Sequence, residues 1–277
     1  MAKTLFITGV SSGFGRAFAL AALAAGHRVI GTVRHSDAAA DFSALAEGAH
    51  AFVLDVTDNA AIPEVVAKAE QLAGPIDVLV NNAGYGHEGI LEESPLDEMR
   101  RQFEVNVFAA VAMIKAVLPG MRERRRGHIV NITSMGGFIT MPGIAYYCGS
   151  KFALEGISEV LAKEVAPFGV KVTAVAPGSF RTDWAGRSMV RAERSIGDYD
   201  ALFNPIRDAR VAKSGRQLGD PARAAQALLS LIEMEHPPVH LLLGSDAVGL
   251  VKQKLDDMRI DIDRFEALSQ STDSPVA

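Results

Sequence analysis

The chain has 277 residues, of which 48% are hydrophobic and 22% are charged, a balance that is typical of compact globular proteins and not of disordered chains. Lys and Arg total 28 against 33 Asp and Glu, so the net charge is -5, which argues against a nucleic-acid-binding surface. We therefore expect a small-molecule partner, with no nucleic acid and no membrane.

Cysteine use and hydropathy favour a cytoplasmic location. The one cysteine, Cys148, cannot form an intrachain disulfide, and no group of Cys and His has metal-ligand spacing, so we predict no metal site. A strand pattern begins within the first few residues, which leaves no room for a signal peptide, and the longest apolar runs, such as residues 17–26, are too short to span a bilayer.

Short apolar runs alternate with helix-length segments along the chain, which indicates βαβ units. Strands are predicted at residues 4–8, 28–33, 51–54, 78–80, 128–132, 171–175 and 239–243. Helices are predicted at residues 13–25, 58–73, 95–122, 146–166 and 220–233, with Asp58 and Asp220 as N-caps. The predicted fold class is α/β, a doubly wound Rossmann-type sheet of seven parallel strands with helices on both faces.

We predict a single domain over residues 1–277, because no repeat, low-complexity tract or linker interrupts the alternation. Residues 181–219 are rich in charge and poor in strand signal, and we expect them to form a substrate-binding lid within that domain. The basic run at residues 122–126 is interpreted as a solvated helix end, which the helix dipole favours.

Residues 245–277 are predicted to be a C-terminal helical extension, with a helix at about 248–268. Six apolar residues recur in it at three- and four-residue steps: Val248, Val251, Leu255, Met258, Ile262 and Phe265. Such a stripe must be buried against something. We expect the helix to fold over its own subunit or over the edge of the pocket, in a homodimer or a monomer.

A glycine-rich segment joins the first predicted strand to the first predicted helix. It consists of Thr8, Gly9, Val10, Ser11, Ser12, Gly13, Phe14 and Gly15. At this place a sheet can present backbone N–H groups and a helix N-terminus to a phosphate. The alternative is a tight turn that needs glycine for its backbone alone. Position and spacing favour a nucleotide.

Tyr147 and Lys151 lie four residues apart on a predicted helix and so share a face. A nearby ammonium favours the phenolate, and we expect Lys151 to lower the pKa of Tyr147 toward the working pH, where an acid/base is most effective. Tyr146 is turned off that face and is predicted to be a packing or pocket residue. Cys148 is given no redox role. His87 is predicted to be a loop residue, and the alternative is that it enters the pocket.

Seven motifs follow one another in fixed order, and together they resemble the short-chain dehydrogenase/reductase family. They are the glycine segment at 8–15, Leu54-Asp55-Val56, Asn81-Asn82-Ala83-Gly84, Asn106 within 104–107, Ile132-Thr133-Ser134, Tyr147 with Lys151, and the segment 177–182. The resemblance covers residues 3–182 and the last strand and helix. Within the family, the branch around the 17β-hydroxysteroid dehydrogenases is the most similar.

The resemblance implies a role for each matching residue. Asn106, Ser134, Tyr147 and Lys151 would be the catalytic residues, with Ser134 holding the substrate oxygen and Asn106 holding a water in a proton relay through Lys151. Taken alone, Asn106 is a structural hydrogen-bonding residue, and Asn81 is open to the same interpretation. The implied cofactor-binding residues are Thr8, Gly9, Ser11, Ser12, Gly13, Phe14, Gly15, Arg34, Asp55, Val56, Asn82, Ala83, Gly84, Tyr147, Lys151, Pro177, Gly178 and Thr182.

The end of the second predicted strand favours NADP(H) over NAD(H), with NAD(H) possible. NAD-preferring sites carry an acidic residue at this place, about twenty residues after the glycine motif, to bind the ribose hydroxyls. Here that position is Val33, and the next residue is Arg34, whose guanidinium can pair with a 2′-phosphate. Two alternatives stay open: Arg34 is an ordinary loop arginine, or Asp37 or Asp41 supplies the acid.

The sequence therefore predicts an NADP-dependent oxidoreductase that transfers a hydride between the cofactor and a carbonyl or secondary alcohol, with Tyr147 as acid/base. The predicted substrate-binding residues suit an apolar small molecule: Ser134, Met141, Pro142, Tyr147, Phe180, Trp184 and Met189. The alternative is a catalytically silent NAD(P)-binding sensor or scaffold. The presence of Asn106, Ser134, Tyr147 and Lys151 together argues against it.

Overall fold

The computed structural model describes residues 2–182, 184, 186 and 188–274. Within these residues the strands are β1 Thr4–Ile7, β2 Arg28–Val33, β3 Ala49–Val53, β4 Val78–Asn81, β5 Gly86–Glu88, β6 Gly127–Ile132, β7 Val170–Pro177, β8 Met189–Arg191 and β9 His240–Leu243. Seven of them form one parallel sheet in the order β3-β2-β1-β4-β6-β7-β9. The predicted fold class and the seven predicted strands are confirmed.

The helices in the same ranges are α1 Gly13–Ala24, α2 Ser36–Ser43, α3 Ile62–Ala73, α4 Leu96–Phe103, α5 Ala109–Glu123, α6 Ala145–Val165, α7 Asp200–Lys213, α8 Pro221–Glu233 and α9 Ser245–Gln270. A π-helical turn, Glu104–Phe108, joins α4 to α5, so the helix predicted at 95–122 is one continuous rod with a local widening. The short helix α2 was not predicted.

The two predicted N-caps have different outcomes. Asp220 accepts a hydrogen bond from the Ala222 N–H and caps α8, as predicted. Asp58 is not the cap of α3, because that helix begins only at Ile62, with Pro63 in its first turn, where a missing N–H costs nothing. The Asp58 carboxylate instead accepts from the Ala61 N–H in the turn before the helix.

The core lies on both faces of the sheet. One cluster packs α1 and α8 against it and contains Phe18 and Leu228, while a second cluster packs α3 and α5 against the other face through Ile62 and Met113. β1 lies between β2 and β4, so the strand order reverses there. In a doubly wound sheet a crevice opens beyond the carboxyl ends of the strands at such a reversal, and this is where ligands bind.

The rod from Leu96 to Glu123 is long and apolar enough to cross a membrane by length and composition. This apolar stretch is longer than residues 17–26, the run that was judged from the sequence to be too short to span a bilayer. In this structure it is a core helix, because Met113, Ile114 and Val117 are buried against the sheet.

The predicted lid, residues 181–219, is an ordered layer where it is described; residues 183, 185 and 187 lie outside the described part. It contains β8, which pairs with β5 in a small second sheet, and α7, neither of which was predicted. Arg194 contacts Glu93 at 2.8 Å, and Glu93 also accepts the backbone N–H groups of Ser195 and Ile196. The lid is therefore fastened to the segment that follows β5.

The C-terminal helix α9 is longer than predicted, and residues 275–277 lie outside the described part. The prediction that its apolar stripe folds over its own subunit holds for Val251 alone, since Val248 is already 36% exposed. Ala247 and Val251 are buried against Met135 and Ile139, but the later residues of the stripe are exposed. The reason is geometric, since the helix runs on for 26 residues and leaves the edge of the sheet after its second turn.

Candidate active site

The glycine loop forms a cradle at the carboxyl end of β1. Gly9 and Gly13 have φ of 74° and 58°, which only glycine adopts without strain. A Cβ on Gly15 would lie 2.2 Å from the Gly9 carbonyl oxygen, so the loop and α1 can approach each other only with glycine there. Ser12 stands at the N-cap without a side-chain capping bond, so the helix N-terminus remains available to a phosphate. This geometry fits a dinucleotide.

Side chains after β1 and β4 fix the cradle. Thr8 accepts hydrogen bonds through its hydroxyl oxygen from the N–H groups of Asn82 and Ala83, at 2.9 and 3.0 Å. Asn82 in turn donates to the carbonyl oxygens of Thr8 and Gly9. Three of the predicted cofactor residues thus hold the loop, and Asn81 is structural, since its amide bonds to Asn131 and to the Ala110 carbonyl.

The predicted adenosine end lies beyond β2 and β3. Arg34 is exposed directly after β2, and its charge helps to keep the pKa of Asp55 below the ordinary value, although the hydrogen bonds from Thr57 contribute more. Val33 is 3% exposed and packs in the core beneath α1 and α2. A carboxylate at this position would therefore be buried among apolar side chains, and the expectation that Val33 stands where NAD-preferring sites carry their acid stays a prediction.

Ser134, Tyr147 and Lys151 meet where β6 ends against α6. The Ser134 hydroxyl shares a hydrogen bond with the Tyr147 phenol and accepts one from the Gly136 N–H at 3.0 Å. The Lys151 ammonium lies 5.8 Å from the Tyr147 ring centre and donates to the Ile132 carbonyl at 2.9 Å. All three residues are buried. The four-residue spacing thus brings together the groups that it was predicted to bring together.

The protonation of this pair differs from the expected one. Burial raises the pKa of Tyr147 to about 12, against the smaller opposite effect of the Ser134 hydrogen bond. Burial also lowers the pKa of Lys151 to about 8, although the negative Glu155 opposes this. In the protein alone desolvation dominates, and the Lys151 ammonium donates to a backbone carbonyl. The predicted lowering of the Tyr147 pKa depends also on the positive nicotinamide of the oxidised cofactor, and it stays a prediction.

Asn106 lies in the π-helical turn, a feature that is frequent at functional sites. Its side chain bonds to both backbone groups of Tyr85 at 3.1 Å and donates to the Ser150 hydroxyl at 3.0 Å. A Cβ on Gly84 would lie 3.0 Å from the Asn106 oxygen and 3.7 Å from the Lys151 ammonium, so both groups border the same glycine. These bonds make Asn106 a structural hydrogen-bonding residue, which was one of its two interpretations. The predicted water relay stays a prediction.

The loop after β7 carries the nicotinamide end of the predicted site. A Cβ on Gly178 would collide with the Asp246 carboxylate at 2.2 Å, and that carboxylate accepts the Ser179 N–H at 2.8 Å. Thr182 lies across from Gly13, and its Cβ is 3.8 Å from where a Cβ added to Gly13 would lie. Sequence reasoning missed Asp246, which fixes the loop, because nothing local links residue 246 to residue 178.

Most of the predicted substrate residues surround Tyr147. The Trp184 ring centre lies 4.9 Å from that of Tyr147, and Met141 packs in the same cluster. Atoms of Met189 on β8 and of Trp184 lie 3.0 Å from where a Cβ on Gly86 would be, so both side chains pack closely over this glycine. Pro142 is at the rim, where its carbonyl accepts from Arg210.

Phe180 is an exception among the predicted substrate residues. Its ring lies 5.1 Å from that of Phe14, and it belongs to the core cluster beneath α1. Its prediction as a substrate contact is wrong, because the β7 loop turns the ring toward the helix rather than toward Tyr147. Phe14 likewise stacks on Phe18 at 5.4 Å, so its side chain packs, and only its backbone borders the cradle.

His87 was predicted to lie in a loop, but it lies on β5. Its ring centre is 5.1 Å from that of Tyr146. It is 1% exposed, and burial lowers its pKa. Tyr146 is a packing residue whose hydroxyl donates to the Ser94 carbonyl at 2.7 Å. Burial raises the pKa of the Cys148 thiol, which accords with the absence of a predicted redox role.

Sequence reasoning also missed a buried carboxylate beside the site. Glu155, one turn after Lys151, accepts a hydrogen bond from the Thr133 hydroxyl and lies 2.8 Å from Nδ1 of His240 on β9. Burial raises its pKa, while His240 and Lys151 act in the opposite direction. Its position four residues after Lys151 was the available signal, since residues at that spacing share a helix face.

Comparisons with known proteins agree with this geometry. The sequence profile described as short chain dehydrogenase matches residues 3–191. The chain belongs to the short-chain dehydrogenase/reductase family. It therefore shares that family's nicotinamide-dependent oxidoreductase chemistry on alcohol and keto groups, and the resemblance seen in the motifs is confirmed at the level of the family.

Full-length relatives of this short-chain dehydrogenase carry oxidoreductase names. Oxidoreductase BOA17 of Botryotinia fuckeliana is 36% identical over 97% of the chain and 98% of the relative. A 3-ketodihydrosphingosine reductase of Bacteroides thetaiotaomicron is 37% identical over 87% and 88%. A solved short-chain dehydrogenase from Streptomyces avermitilis has a TM-score of 0.92 at 43% identity and 98% coverage of both chains. ElxO, solved with NADP bound, has a TM-score of 0.73 at 27% identity, covering 87% and 96%.

Proposed function

We propose that this short-chain dehydrogenase uses NADP(H) to interconvert a carbonyl and a secondary alcohol on an apolar small molecule, with Tyr147 as the acid/base. The observation that carries the proposal is the buried group in which Ser134 is hydrogen-bonded to the Tyr147 phenol and Lys151 lies 5.8 Å from the centre of its ring. The nicotinamide, when bound, supplies the hydride in the reductive direction and accepts it in the oxidative one.

The protonation of the site suits the reductive direction. A phenol with a pKa of about 12 is fully protonated at neutral pH, so Tyr147 can donate its proton to a carbonyl oxygen. Ser134 holds that oxygen against the phenol, and its bond from Gly136 keeps the hydroxyl in place. Lys151 supplies the positive charge that stabilises the phenolate left behind, and its ammonium is positioned by the Ile132 carbonyl.

Arg34 supports NADP(H) as the preferred cofactor. It stands exposed after β2, close enough to Asp55 to affect the pKa of that carboxyl group, so its guanidinium is free of the core and can pair with a 2′-phosphate. The likeness to ElxO, which binds NADP, is consistent with this choice. Asp37 lies in the first turn of α2 and Asp41 in its second half. That placement favours Arg34 as the group at the end of the strand.

The walls around Tyr147 support an apolar keto substrate. Met141, Ile144 and Trp184 supply the apolar surface. Among the described residues, the buried indole N–H of Trp184 has no hydrogen-bond acceptor, so it can bind a polar group of the substrate near the reacting oxygen. The relative named 3-ketodihydrosphingosine reductase supports a ketone as the oxidised substrate.

The test is a panel of apolar ketones, presented to the wild-type protein with NADPH and, separately, with NADH. We expect at least one ketone to oxidise NADPH catalytically, with kcat/KM about ten- to a hundredfold above that with NADH. Binding of NADPH without turnover on any ketone or on the matching alcohols with NADP+ would instead support the silent sensor or scaffold.

A further inference from the structure

Three arginines surround a buried carboxylate beside the candidate active site. Glu88 on β5 is 1% exposed. Its oxygens lie 3.2 Å from Arg210 and 3.6 Å from Arg207, both on α7, and 3.6 Å from Arg191 on β8. Arg191 has a further interaction of its own. Arg207 and Arg210 therefore share one carboxylate between two guanidinium groups, which leaves positive charge in excess.

The carboxylate lies on the substrate side of β5. Successive side chains of a strand point to opposite faces, so Glu88 and the position of Gly86 share a face. Over Gly86 that face is covered by Trp184 and Met189, and the Trp184 ring centre lies 4.9 Å from that of Tyr147. Two residues span roughly 7 Å of a strand. The arginine group therefore stands next to the apolar wall of the pocket, one strand repeat away from it.

The helix α7 aims both arginines at the rim of the pocket. Phe203, Arg207 and Arg210 follow one another at steps of four and three residues, so they share one face of the helix. The Phe203 ring fills the space beside Gly143, and Arg210 donates to the Pro142 carbonyl at 3.3 Å. This face of α7 thus packs on the segment that forms the rim.

Both guanidinium groups keep donors that the described part of the chain does not use. There, Glu88 is the only carboxylate that pairs with either arginine. Arg207 makes no hydrogen bond to the described residues, its Nε is the atom 3.6 Å from Glu88, and 31% of its side chain is exposed. Nη1 of Arg210 is buried and lies near Glu88 without hydrogen-bond geometry. Buried donors without an acceptor are costly, so a second anion at this place would be stabilised.

We propose that Arg207 and Arg210 bind a carboxylate at the end of the substrate that is remote from the keto group. This inference rests on the proposed function, since it assigns a substrate class, apolar oxo acids, to the same pocket. One carboxylate of Glu88 and two guanidinium groups leave about one positive charge. A monoanionic carboxylate balances that charge, whereas a dianionic phosphate exceeds it. The planar guanidinium also matches a carboxylate in bidentate geometry.

The first test measures binding without turnover. Trp184 is the one tryptophan of the chain, so its fluorescence reports on the pocket in the protein without cofactor. The probes are decanoate, its methyl ester and decylamine, each below its critical micelle concentration. We expect decanoate to bind at least about tenfold more tightly than the ester, as a charge-assisted contact predicts. Equal binding of acid and ester would overturn the proposal. Tighter binding of the amine would also overturn it, because Glu88 would then be the recognition group.

Two matched variants locate the contact on α7. Arg207→Gln should bring the affinities for decanoate and its ester to within about threefold of each other, since the charge-assisted contact is lost. Lys213→Gln removes the same charge from the exposed end of the same helix and should keep the wild-type ratio. A lid that Arg207→Gln merely loosens would weaken both probes alike and leave their ratio unchanged, and this result would contradict the proposal.

The second test is turnover, with NADPH, of oxo acids that differ in the distance between keto group and carboxylate, each paired with its methyl ester. We expect kcat/KM for the best acid to exceed that for its ester at least about tenfold, and Arg207→Gln to remove most of this ratio. Turnover of the esters without preference for the acids would overturn this inference and leave the proposed function intact. Tighter binding of the acid without any turnover would support the arginine site and contradict the proposed function.

Discussion

At the scale of single residues, the site depends on burial more than on direct charge pairing. Tyr147 and Lys151 are both buried. Desolvation favours the neutral form of each, so it raises the pKa of Tyr147 and lowers that of Lys151. A short contact between the ammonium and the phenol is therefore not what prepares the tyrosine. Instead, the Ser134 hydroxyl holds the phenol oxygen, and Lys151 is kept within reach by the Ile132 carbonyl.

Replacing Arg34 with Ala should remove most of the preference for NADP(H). A charge-assisted contact to a 2′-phosphate contributes roughly 1.5–3 kcal/mol, which corresponds to about a ten- to hundredfold ratio of kcat/KM between NADPH and NADH. The ratio is measured by steady-state kinetics on one ketone. Arg16→Ala is the control, because Arg16 lies on α1 near the cradle but not after β2. An unchanged ratio in Arg34→Ala would refute the assignment.

The residues of the site differ in how far the sequence could predict them. Tyr147 and Lys151 follow from helix spacing, and Ser134 follows from its place after a strand, because these positions fix the direction of the side chain locally. Phe180 was wrong as a substrate contact, and Val33 is buried, for a common reason. Both lie next to a strand end, where tertiary packing decides whether the side chain faces the core or the crevice.

At the scale of the elements, the lid shows what periodicity cannot detect. The strand β8 has three residues, and its partner β5 has three, so neither leaves an alternating pattern long enough to recognise. The helix α7 contains Pro205, a residue that normally breaks helices, so the sequence of this segment does not predict a helix. Its position comes from contacts distant in sequence, including Phe203, whose ring fills the space left by Gly143.

The carboxylate of Glu93 is expected to fasten the lid in a pH-dependent way. Hydrogen bonds from the Ser195 and Ile196 N–H groups and from Arg194 lower its pKa to about 2. A carboxyl group with a lowered pKa stabilises the folded state above its unfolded pKa, near 4.5, and this contribution is lost as the pH falls toward 2. The lid should therefore loosen over that interval.

Replacing Glu93 with Gln tests this expectation. At pH 7 the variant should unfold a few degrees below wild type and should exchange amide hydrogens faster in residues 194–213. The difference between the two proteins should shrink as the pH falls from about 4.5 toward 2. Asp97→Asn is the control, because that carboxylate is exposed and pairs with Arg100 in its own helix. Equal hydrogen exchange in wild type and Glu93→Gln would contradict the role of Glu93.

At the scale of the whole molecule, the strand order explains why distant motifs form one site. The glycine cradle follows β1, Arg34 follows β2, and Asn82 follows β4, while Ser134 follows β6 and Gly178 follows β7. All of these strands are parallel, so their carboxyl ends lie along one edge of the sheet. The order of the elements was predictable because buried parallel strands are continuous apolar runs. The course of α9 past Val251 was not, since an apolar stripe does not show what covers it.

The central claim is that Tyr147 delivers the proton that accompanies hydride transfer. Tyr147→Phe removes only the hydroxyl, and Tyr146→Phe, which loses a hydroxyl bonded to the Ser94 carbonyl, is the matched control. The direct measurement is the single-turnover rate of NADPH oxidation with an active ketone, together with NADPH affinity. We predict that Tyr147→Phe retains affinity within a few-fold but loses at least about a thousandfold in rate, whereas Tyr146→Phe stays close to wild type. A Tyr147→Phe protein that keeps a tenth of the wild-type rate would contradict the assignment.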